Sequence, residues 1–420
     1  MELVSDIVAQ LAAVPNAAPS LAAPLLPVCA ELLRDPSSQE YFRVSTAIDI
    51  LGSLVRHMPN CLTQTSMAQL FSTVVRVATT TEEIALMQSS QKCLAGFVGA
   101  SASSLPKGGV ELLLAVVQKY LSPALPEEGA IHVGRLILKM AQTLPLDPIL
   151  PQILAACLPR LANTNSPEVV QALVLVFARL IHSSPAATLD VLASQKTPDG
   201  KSGLEFLLSV WLDNQSAFYG DYVVKVTIFA LMLLFQQYSS RLSGISVRGP
   251  EIASTGRRTR SKGPIQYSQI SAQQKIFELV LSTFVLQVMD EEDGGGGGFF
   301  DEEDDDGSSS EEDFALQGSE FDMGFSRDRG DRQKLQLDEI LRQANAEQDD
   351  EDNELDPDFA NDPLAKRELI PQLREWLFKL MQSNVKAFEA SVHACGDQDA
   401  KMGFMQIWEE QIKLQLSQRK

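Results

Sequence analysis

Carboxylates are the most concentrated reactive groups in the sequence. The stretch MDEEDGGGGGFFDEEDDDGSSSEEDF, from Met289 to Phe314, holds thirteen of them and neither lysine nor arginine. Paired carboxylates perform general acid–base catalysis only where a fold holds them across a substrate and shifts their pKa values. A run of like charges with few aliphatic side chains cannot collapse into such a site. We therefore predict a disordered binding segment here rather than an enzyme active site.

The acidity of the chain is local. Residues 290–362 contain 28 acidic and 5 basic side chains, a net charge of −23 (5 − 28), while the whole chain carries −20, so the remainder sums to +3 (−20 + 23). A field of this kind raises association rates by roughly 10 to 1000-fold. The effect falls with salt, because screening acts over about 8 Å. The expected partner is a strongly basic protein.

Aromatic side chains interrupt the acidic run. In such a pattern, a ring can enter an apolar pocket of a partner protein while neighbouring carboxylates pair with the basic rim of that pocket, which favours protein binding. The alternative is a solvated insertion that binds nothing. The candidate cargo-binding residues are Asp290, Glu291, Glu292, Asp293, Phe299, Phe300, Asp301, Glu302, Glu303, Asp304, Asp305, Asp306, Glu311, Glu312, Asp313 and Phe314. Ser308, Ser309 and Ser310 each stand three positions before an acidic residue, which predicts phosphorylation by acidophilic kinases.

Signals for enzymatic chemistry are weak throughout the sequence. The glycines of 294–298 lack the Lys-Ser/Thr ending of a phosphate loop, and no GxSxG, HExxH or CxxC pattern occurs. We predict a protein that is not an enzyme and uses neither cofactor nor metal. The five cysteines stand far apart and are expected to be buried thiols in a reducing compartment: Cys29, Cys61, Cys93, Cys157 and Cys395. The four histidines are expected at helix ends or on the surface: His57, His132, His182 and His393.

No stretch reaches about 18 uncharged apolar residues, and the N-terminal stretch lacks the basic region of a signal peptide. The sequence therefore predicts a soluble cytosolic or nuclear protein.

Helical repeats are the elements that must carry these charged segments. Residues 1–240 alternate amphipathic segments of about 12 to 20 residues with polar breaks. Four segments close alike, at Pro59, Pro106, Pro145 and Pro185, which are separated by 47, 39 and 40 residues. Proline ends a helix because it lacks an N–H group. Paired helices at this spacing are typical of HEAT or armadillo units, which stack because one pair cannot bury its own apolar face.

The predicted fold is thus an all-α HEAT-repeat superhelical solenoid with a disordered acidic insertion. Its predicted boundaries are a solenoid over 1–240, a basic loop over 241–267, a solenoid helix over 268–289, the disordered insertion over 290–362 and C-terminal helices over 363–420. Within the last part we expect one helix over 363–382 and another over 402–418. The predicted core between repeats includes Val169, Val170, Leu173, Val176, Leu180 and Ile181.

Three stretches resemble a known family in order and in content. They read WLDNQSAFYGDYVVKVTIFAL from Trp211, RLSGISVRGPEIASTGRRTRSKG from Arg241 and NDPLAKRELIPQLREWL from Asn361, the last one closing the acidic insertion. Over residues 204–382 the chain resembles the karyopherin-β family of nuclear import receptors, which are built of HEAT repeats. The last 25 or so residues depart from the family pattern. The chain also begins mid-solenoid, so it resembles a C-terminal portion.

The resemblance implies a receptor that carries basic cargo, such as histones and ribosomal proteins, into the nucleus. It also implies release by the GTPase Ran, contacts with nucleoporins, and shuttling between cytoplasm and nucleus. Family members contact Ran chiefly through N-terminal repeats, so Ran coupling is expected to be incomplete or missing in this chain. We expect neither direct nucleic-acid binding nor membrane insertion. The alternative is a HEAT scaffold or histone-chaperone-like protein that is not coupled to Ran, and a regulatory subunit of an enzyme is a third class.

The basic loop GRRTRSKG carries Arg257, Arg258, Arg260 and Lys262. Alone, it resembles a weak nuclear-localisation or nucleic-acid patch. It is also compatible with contacts to Ran or to acidic patches on cargo. A third alternative is that it folds against the acidic insertion when no cargo is bound and so acts as a competitive gate.

Overall fold

A computed structural model describes residues 10–11, 14, 17–34, 41–58, 62–100, 105–145, 147–197, 199–252, 266–294 and 362–418. Contacts divide these residues into two compact units. The first unit runs to Leu279 and also includes residues 362–367; the second contains the described residues from Val280 and from Glu368 onward. The division falls inside a single helix.

Helices dominate the first unit, and the predicted all-α repeat architecture is confirmed. In chain order they are α1 (Ala17–Leu32), α2 (Tyr41–His57), α3 (Gln64–Thr80), α4 (Ile84–Ala100), α5 (Gly109–Tyr120), α6 (Val133–Thr143), α7 (Leu150–Ala162), α8 (Pro167–Ser183), α9 (Pro185–Ser194), α10 (Gly203–Asn214), α11 (Asp221–Gln237) and α12 (Ser239–Leu242). Short 3₁₀ turns lie at Glu127–Ala130 and Gln215–Ala217.

These helices form two layers. Helices α2, α4, α6, α8 and α11 pack side by side in what we call the second-helix layer. Helices α3, α5, α7 and α9 pack in the same way in the first-helix layer. The pairs α3–α4, α5–α6 and α7–α8 each join the two layers. Successive pairs therefore share one continuous apolar core, as stacked repeats do.

Helix α8 shows how the apolar pattern becomes core. The six residues predicted to lie between repeats are all buried, with exposed fractions of 8% or less: Val169, Val170, Leu173, Val176, Leu180 and Ile181. The helix begins where Ser166 accepts a hydrogen bond from the N–H of Val169, with Pro167 in the first turn. Pro185, predicted to close this unit, instead begins α9, because the first turn of a helix does not need its N–H group.

Two glycines allow neighbouring helices of the second-helix layer to approach closely. A Cβ atom on Gly52 of α2 would lie 3.2 Å from the Cα of Cys93 in α4. One on Gly134 of α6 would lie 3.0 Å from both the Cβ and the carbonyl oxygen of Ala172 in α8. Because interiors are close-packed, a methyl group at either position would push the helices apart.

A series of basic side chains joins the first-helix layer along its length. Arg76, Lys119 and Arg160 stand near the C-terminal ends of α3, α5 and α7. Each donates hydrogen bonds to main-chain carbonyls at or just past the end of the helix two earlier in the chain. The acceptors are Leu33 and Arg34 for Arg76, Ala78, Thr79 and Thr81 for Lys119, and Ser122 and Leu125 for Arg160. We call this series the cation ladder. It satisfies carbonyls that a helix end leaves without intrahelical partners, and its charge suits the negative end of the helix dipole.

A two-stranded sheet replaces the end of the predicted solenoid–loop region: its first strand lies in the predicted basic loop over 241–267, and its second takes the first residues of the helix predicted over 268–289. Strand β1 (Ser246–Glu251) pairs antiparallel with β2 (Tyr267–Ser271), and Val247 lies opposite Ile270. The register shifts between Arg248 and Glu251, so the ribbon contains a bulge. Strand β1 packs against α10, and Val247 is buried, which gives this short ribbon the apolar support it needs.

The second unit contains the rest of α13 (Ala272–Gly294), together with α14 (Leu369–Ser383), α15 (Val385–His393) and α16 (Gln398–Gln418). Phe404 of α16 packs in tilted or edge geometry against Phe284 of α13 and Phe388 of α15, and it stacks on Trp408. Helix α14 begins later than predicted, because residues 362–367 form turns instead of a first helical turn. Helix α16 begins four residues earlier than predicted, where the carboxylate of Asp397 accepts a hydrogen bond from the N–H of Ala400.

Candidate functional site

Most of the predicted cargo-binding residues lie outside the described part of the chain. This holds for the candidates from Phe299 to Phe314, for the serines 308–310, and for the basic residues of 257–262. At Asp290–Asp293 the backbone continues α13 to Gly294, although the insertion was predicted to begin at Asp290. Extending an existing helix adds one hydrogen bond per residue, and glutamate is a good helix former.

Asp362 was predicted to be the last residue of a disordered insertion, and the structure corrects this. Its side chain has an exposed fraction of 0%. One carboxylate oxygen, Oδ2, lies 2.9 Å from Nε of Arg179, and it accepts hydrogen bonds from the Tyr222 hydroxyl at 2.8 Å and from Nε2 of Gln142 at 3.2 Å. The other oxygen, Oδ1, accepts from the N–H of Leu364 at 2.8 Å. A charge this deeply buried is stable only with such partners.

Three helices of the second-helix layer build this socket. Gln142 belongs to α6, Arg179 to α8 and Tyr222 to α11, and we call these three residues the Asp362 socket. The Nε–H of Arg179 is not aligned well enough with the carboxylate for a hydrogen bond, so that contact is an ion pair. The socket fixes the first described residue after the acidic insertion to the middle of the repeat stack.

The electrostatics around the socket follow from burial and from its charges. Burial raises the pKa of Tyr222, and the carboxylate of Asp362 raises it further. Burial lowers the pKa of His182 to about 4; the nearby guanidinium groups of Arg179 and Arg367 also lower it, whereas a hydrogen bond to the Val226 carbonyl and the charge of Asp362 oppose them. His182 is therefore neutral at pH 7.

Further along the same layer, burial lowers the pKa of His132 to about 3, and the positive charges of Lys92 and Arg135 lower it further. Lys92 is exposed on α4, and Arg135 is half-buried on α6. Two clusters of cations, one near each histidine, thus lie along the second-helix layer.

The β-ribbon forms the base of the basic loop. The N–H of Ile252 donates to the carbonyl of Gln266 at 2.9 Å, so the two ends of the loop leave the ribbon side by side. The guanidinium of Arg248 lies 3.6 Å from the centre of the Tyr267 ring, a cation–π contact across the two strands. Burial raises the pKa of nearby Asp213, against the positive charges of Arg248 and Lys275. The ribbon therefore presents the loop from a supported platform.

The cysteines are placed as predicted where the structure describes them. Burial raises the pKa of Cys29 to about 11 and that of Cys157 to about 12, and it raises the pKa of Cys93 well above its ordinary value. Cys395 is also buried, and Cys61 lies outside the described residues. A thiol with a raised pKa is a poor nucleophile, which fits a packing role for Cys29, Cys93 and Cys157.

All four histidines stand at or beside helix ends, as expected. Within the described ranges, no group of three or more His, Cys, Asp or Glu side chains is arranged to hold a metal ion. Over the same ranges, no helix has the length and apolar character needed to cross a membrane.

Comparisons with known proteins match this architecture to a transport family. A family model described as "Importin-11-like, TPR repeats" matches residues 3–246, more than half of the chain. The chain belongs to this importin family. The description names TPR repeats where the sequence predicted HEAT units, and both are pairs of helices that stack into solenoids. The match includes all of the second-helix layer, the Asp362 socket among it, and ends at the first residue of β1.

Curated relatives of the importin chain agree with that assignment. It is 26% identical to Importin-9 of Drosophila melanogaster over 302 residues, and this match covers 68% of this chain and 30% of the relative. It is 25% identical over 267 residues to Importin subunit beta-5 of Schizosaccharomyces pombe, covering 61% and 27%. It is 27% identical over 182 residues to Importin subunit beta-5 of Saccharomyces cerevisiae, covering 42% and 18%. The chain thus spans less than a third of the length of these relatives.

Little in the amino-acid pattern pointed to the Asp362 socket. Its members come from helices far apart in the chain: Asp362 stands 220 residues after Gln142 and 140 after Tyr222. The available signal was the composition change after Phe359, where the acidic run ends and NDPLAKRELI begins.

Proposed function

We propose that this chain is part of a nuclear import receptor that binds basic protein cargo, such as histones and ribosomal proteins. Membership of the importin family supports the transport role, and the relatives are named importins. The charge of −23 over residues 290–362 supports the choice of a basic cargo.

The observation that carries the proposal is the attachment of the acidic segment. The segment follows α13 after Gly294, and its far end is held by the Asp362 socket in the second-helix layer. Sixty-seven residues (295–361) stand between these points. Because Asp362 is fixed in the first unit, the acidic residues joined to it act at a raised effective concentration on a protein bound to that unit.

Replacement of residues 295–361 by a Gly/Ser linker of equal length tests this cargo role. The replacement keeps the Asp362 socket and both described ends. We expect affinity for a histone dimer to fall at least about tenfold in low salt, and less near physiological ionic strength, because screening weakens charge pairs there. The matched control keeps every residue of the segment except its acids, which become Asn and Gln; this variant should lose as much affinity. Unchanged affinity in both variants would contradict cargo binding by the segment.

Release by Ran is the finer part of the proposal. A receptor loses cargo when GTP-loaded Ran is added and keeps it with GDP-loaded Ran. The alternative, a HEAT scaffold or histone-chaperone-like protein, responds to neither. Because the chain spans less than a third of its relatives, the pull-down is made with the chain and with the longer Importin-9 of Drosophila melanogaster in parallel. A response of the long protein alone would show that Ran coupling requires residues outside this chain.

Shuttling between cytoplasm and nucleus through contacts with nucleoporins belongs to the same proposal. A fluorescent fusion of the chain tests it in permeabilised cells, where accumulation at the nuclear rim is the expected result. A diffuse signal, equal to that of the fluorescent protein alone, would count against nucleoporin binding by this chain.

Phosphorylation of Ser308, Ser309 and Ser310 would add about −1.5 to −2 charges each to the acidic segment. We expect phosphate on these serines in cellular protein and tighter binding of basic cargo when it is present. Mass spectrometry showing unmodified serines would remove this part of the proposal.

The basic loop acts, in this proposal, as a competitor of cargo for the acidic segment. Its support is the β-ribbon, which holds both ends of the loop together. Reversing Arg257, Arg258, Arg260 and Lys262 to Glu should tighten binding of basic cargo. Weaker binding would instead favour direct contact of the loop with acidic patches on cargo or with Ran.

A further inference from the structure

Four Ser/Thr-Pro dipeptides occur in the sequence, at Ser122, Ser166, Ser184 and Thr197. Proline-directed kinases phosphorylate a serine or threonine that is followed by proline, and the proline itself favours an extended backbone at the residue before it. The kinase also needs the hydroxyl to reach the catalytic aspartate that accepts its proton. The four dipeptides are equal by this sequence pattern, so only their structural setting distinguishes them.

Ser122 and Ser166 belong to contacts between repeats. The carbonyl of Ser122 accepts a hydrogen bond at 3.0 Å from the buried guanidinium of Arg160, 38 residues later. The N–H of Ser166 donates at 2.7 Å to the carboxylate of Glu127, 39 residues earlier. Drawing either serine into the cleft of a kinase would therefore break a contact between elements that lie far apart in the chain.

Ser184 joins two helices. Its N–H donates to the carbonyl of Leu180 at the end of α8, and its own carbonyl accepts from the N–H of Thr188 in α9. Leu180 and Thr188 are both fully buried. An extended backbone at Ser184 would therefore unwind the end of one helix and the start of the next, and hydrogen bonds would be lost on both sides.

Thr197 lies instead in the loop that connects α9 to α10. The Thr197 hydroxyl lies within hydrogen-bond distance of Oδ1 of Asp199 and of the carbonyl oxygen of Lys201. The Thr197 N–H donates to that same carbonyl, and the Thr197 carbonyl accepts from the N–H of Gly200. These hydrogen bonds all stay within the loop, and Pro198 itself lies outside the described residues. Opening the loop leaves the contacts between repeats intact, and such local opening costs little free energy.

Both ends of the loop are fixed to the helices. The N–H of Gly203 donates to the carbonyl of Gln195 at 3.0 Å, and Ser202 begins α10 by accepting a hydrogen bond from the N–H of Glu205. A Cβ atom on Gly203 would lie 2.8 Å from the carbonyl oxygen of Leu192, so the start of α10 packs closely against α9. A change within the loop therefore does not loosen the helices that it joins.

We propose that Thr197 is a phosphorylation site for proline-directed kinases. The kinase transfers the γ-phosphoryl group of ATP to the Thr197 hydroxyl oxygen. The new P–O bond forms as the bond from the γ-phosphorus to the bridging oxygen breaks, the hydroxyl proton goes to the catalytic aspartate of the kinase, and ADP leaves.

Phosphorylation reverses the sign of the charge on this loop. Residues 196–202 hold two lysines and one aspartate, a net charge of +1 (2 − 1), and the side chains of Lys196, Asp199 and Lys201 are exposed. A phosphate adds about −1.5 to −2 charges, so the loop then carries about −0.5 to −1.

Phosphorylation of the folded whole chain by purified kinases tests the site, and it involves neither cargo nor Ran. The chain is incubated with ATP and with a cyclin-dependent kinase or a mitogen-activated protein kinase, and mass spectrometry follows the initial rate at each dipeptide. Each rate is divided by the rate for a synthetic peptide of the same sequence, which no fold protects. We expect the ratio at Thr197 to exceed the ratios at the three serines at least about tenfold, which corresponds to an opening cost about 1.4 kcal/mol larger at the serines.

Matched variants identify the residue that is modified. Thr197→Ser should keep the signal, Thr197→Val should abolish it, and Pro198→Ala should slow it severalfold. Equal ratios at the four dipeptides, an unchanged rate in Pro198→Ala, or no phosphate at Thr197 in the folded chain would overturn the proposal. A peptide containing Thr197 that neither kinase modifies would overturn it as well.

A stability measurement checks the independence of the loop. Complete phosphorylation of Thr197 should leave the urea midpoint for peptides from α10 unchanged, while hydrogen exchange within residues 196–202 becomes faster. A lower midpoint would contradict the separation of loop and helices from which the choice of Thr197 follows.

Discussion

Arg179→Met and Asp362→Asn remove opposite halves of one ion pair, and the structure predicts unequal costs. The Asp362 side chain has no exposure to solvent, whereas 16% of the Arg179 side chain is exposed. In Arg179→Met the buried carboxylate keeps only the neutral donors Tyr222, Gln142 and the N–H of Leu364. In Asp362→Asn the guanidinium keeps an edge in water, and the new amide oxygen still accepts from neighbouring donors.

The magnitudes follow from these exposures. Removing one partner of a buried pair costs about 3 to 5 kcal/mol when the remaining charge is left without compensation. Three neutral donors remain around Asp362, so we expect Arg179→Met to cost about 3 kcal/mol. We expect Asp362→Asn to cost about 1.5 kcal/mol, since it loses the extra strength of hydrogen bonds to a charged acceptor. The double variant should cost little more than Asp362→Asn alone, because a neutral amide does not need the cation.

These free energies of unfolding are measured in urea, with hydrogen exchange of peptides from α8 and α11 as the probe of the first unit. Lys225→Met is the control. Nζ of Lys225 lies 2.6 Å from Oδ2 of Asp221, and the Asp221 side chain is 63% exposed, so losing this ion pair should lower the free energy of unfolding by less than about 1 kcal/mol. A larger cost for Asp362→Asn than for Arg179→Met would refute the reasoning. Simple additivity in the double variant would refute the proposed coupling.

Three further changes test other parts of the fold. Gly134→Ala should destabilise the first unit by about 1 to 3 kcal/mol in urea unfolding, because the new methyl would lie 3.0 Å from Ala172; a neutral effect would show that α6 and α8 separate freely. The pKa of His182 falls to about 4 on folding, so the unfolded chain binds more protons than the folded one between pH 4 and 6.5. The free energy of unfolding should therefore rise with pH in this range, by up to about 3 kcal/mol. His182→Gln should flatten this dependence of unfolding free energy on pH, and an identical slope in the variant would contradict the prediction. Lys119→Met removes the donor to three carbonyls and should lower the unfolding free energy by about 1 to 2 kcal/mol, whereas an unchanged midpoint would show that water replaces the lysine.

The helices of the repeats were predictable because their apolar residues recur at helical spacing. Helix α2 (Tyr41–His57) and helix α8 (Pro167–Ser183) both fall within the length of about 12 to 20 residues predicted for the amphipathic segments. Both bury a broad apolar face against neighbouring helices, so local periodicity and tertiary packing agree.

The β-ribbon was not predictable in this way. Strand β1 contains Gly249 and Pro250, two residues that are unfavourable in strands, and its partner follows only after a loop of some fifteen residues. Gly249 is tolerated because the strands approach closely there: a Cβ atom would lie 2.6 Å from Oγ of Ser268. The ribbon depends on packing against α10, a contact that no local sequence pattern predicts.

The Asp362 socket was missed for a related reason. Composition assigns Asp362 to the acidic insertion, because it follows closely on a run of acidic residues that is expected to be solvated. Its partners lie on three helices of another part of the sequence, and burial is decided by that distant arrangement. Net charge therefore misplaced Asp362, while residues 295–361 of the same segment lie outside the described part of the chain.

The cation ladder makes the two sides of each repeat boundary unequal. Arg76, Lys119 and Arg160 always reach backwards along the chain, so each repeat supplies the cap and the one before it supplies the carbonyls. A fragment that ends after α3 leaves its last carbonyls to water, at little cost. A fragment that begins at α5 likewise leaves the ammonium of Lys119 to water, since the carbonyls that it contacts belong to the removed part. A cut at this boundary therefore removes the same three hydrogen bonds whichever fragment is kept, and the N-terminal fragment loses their donor while the C-terminal fragment loses their acceptors.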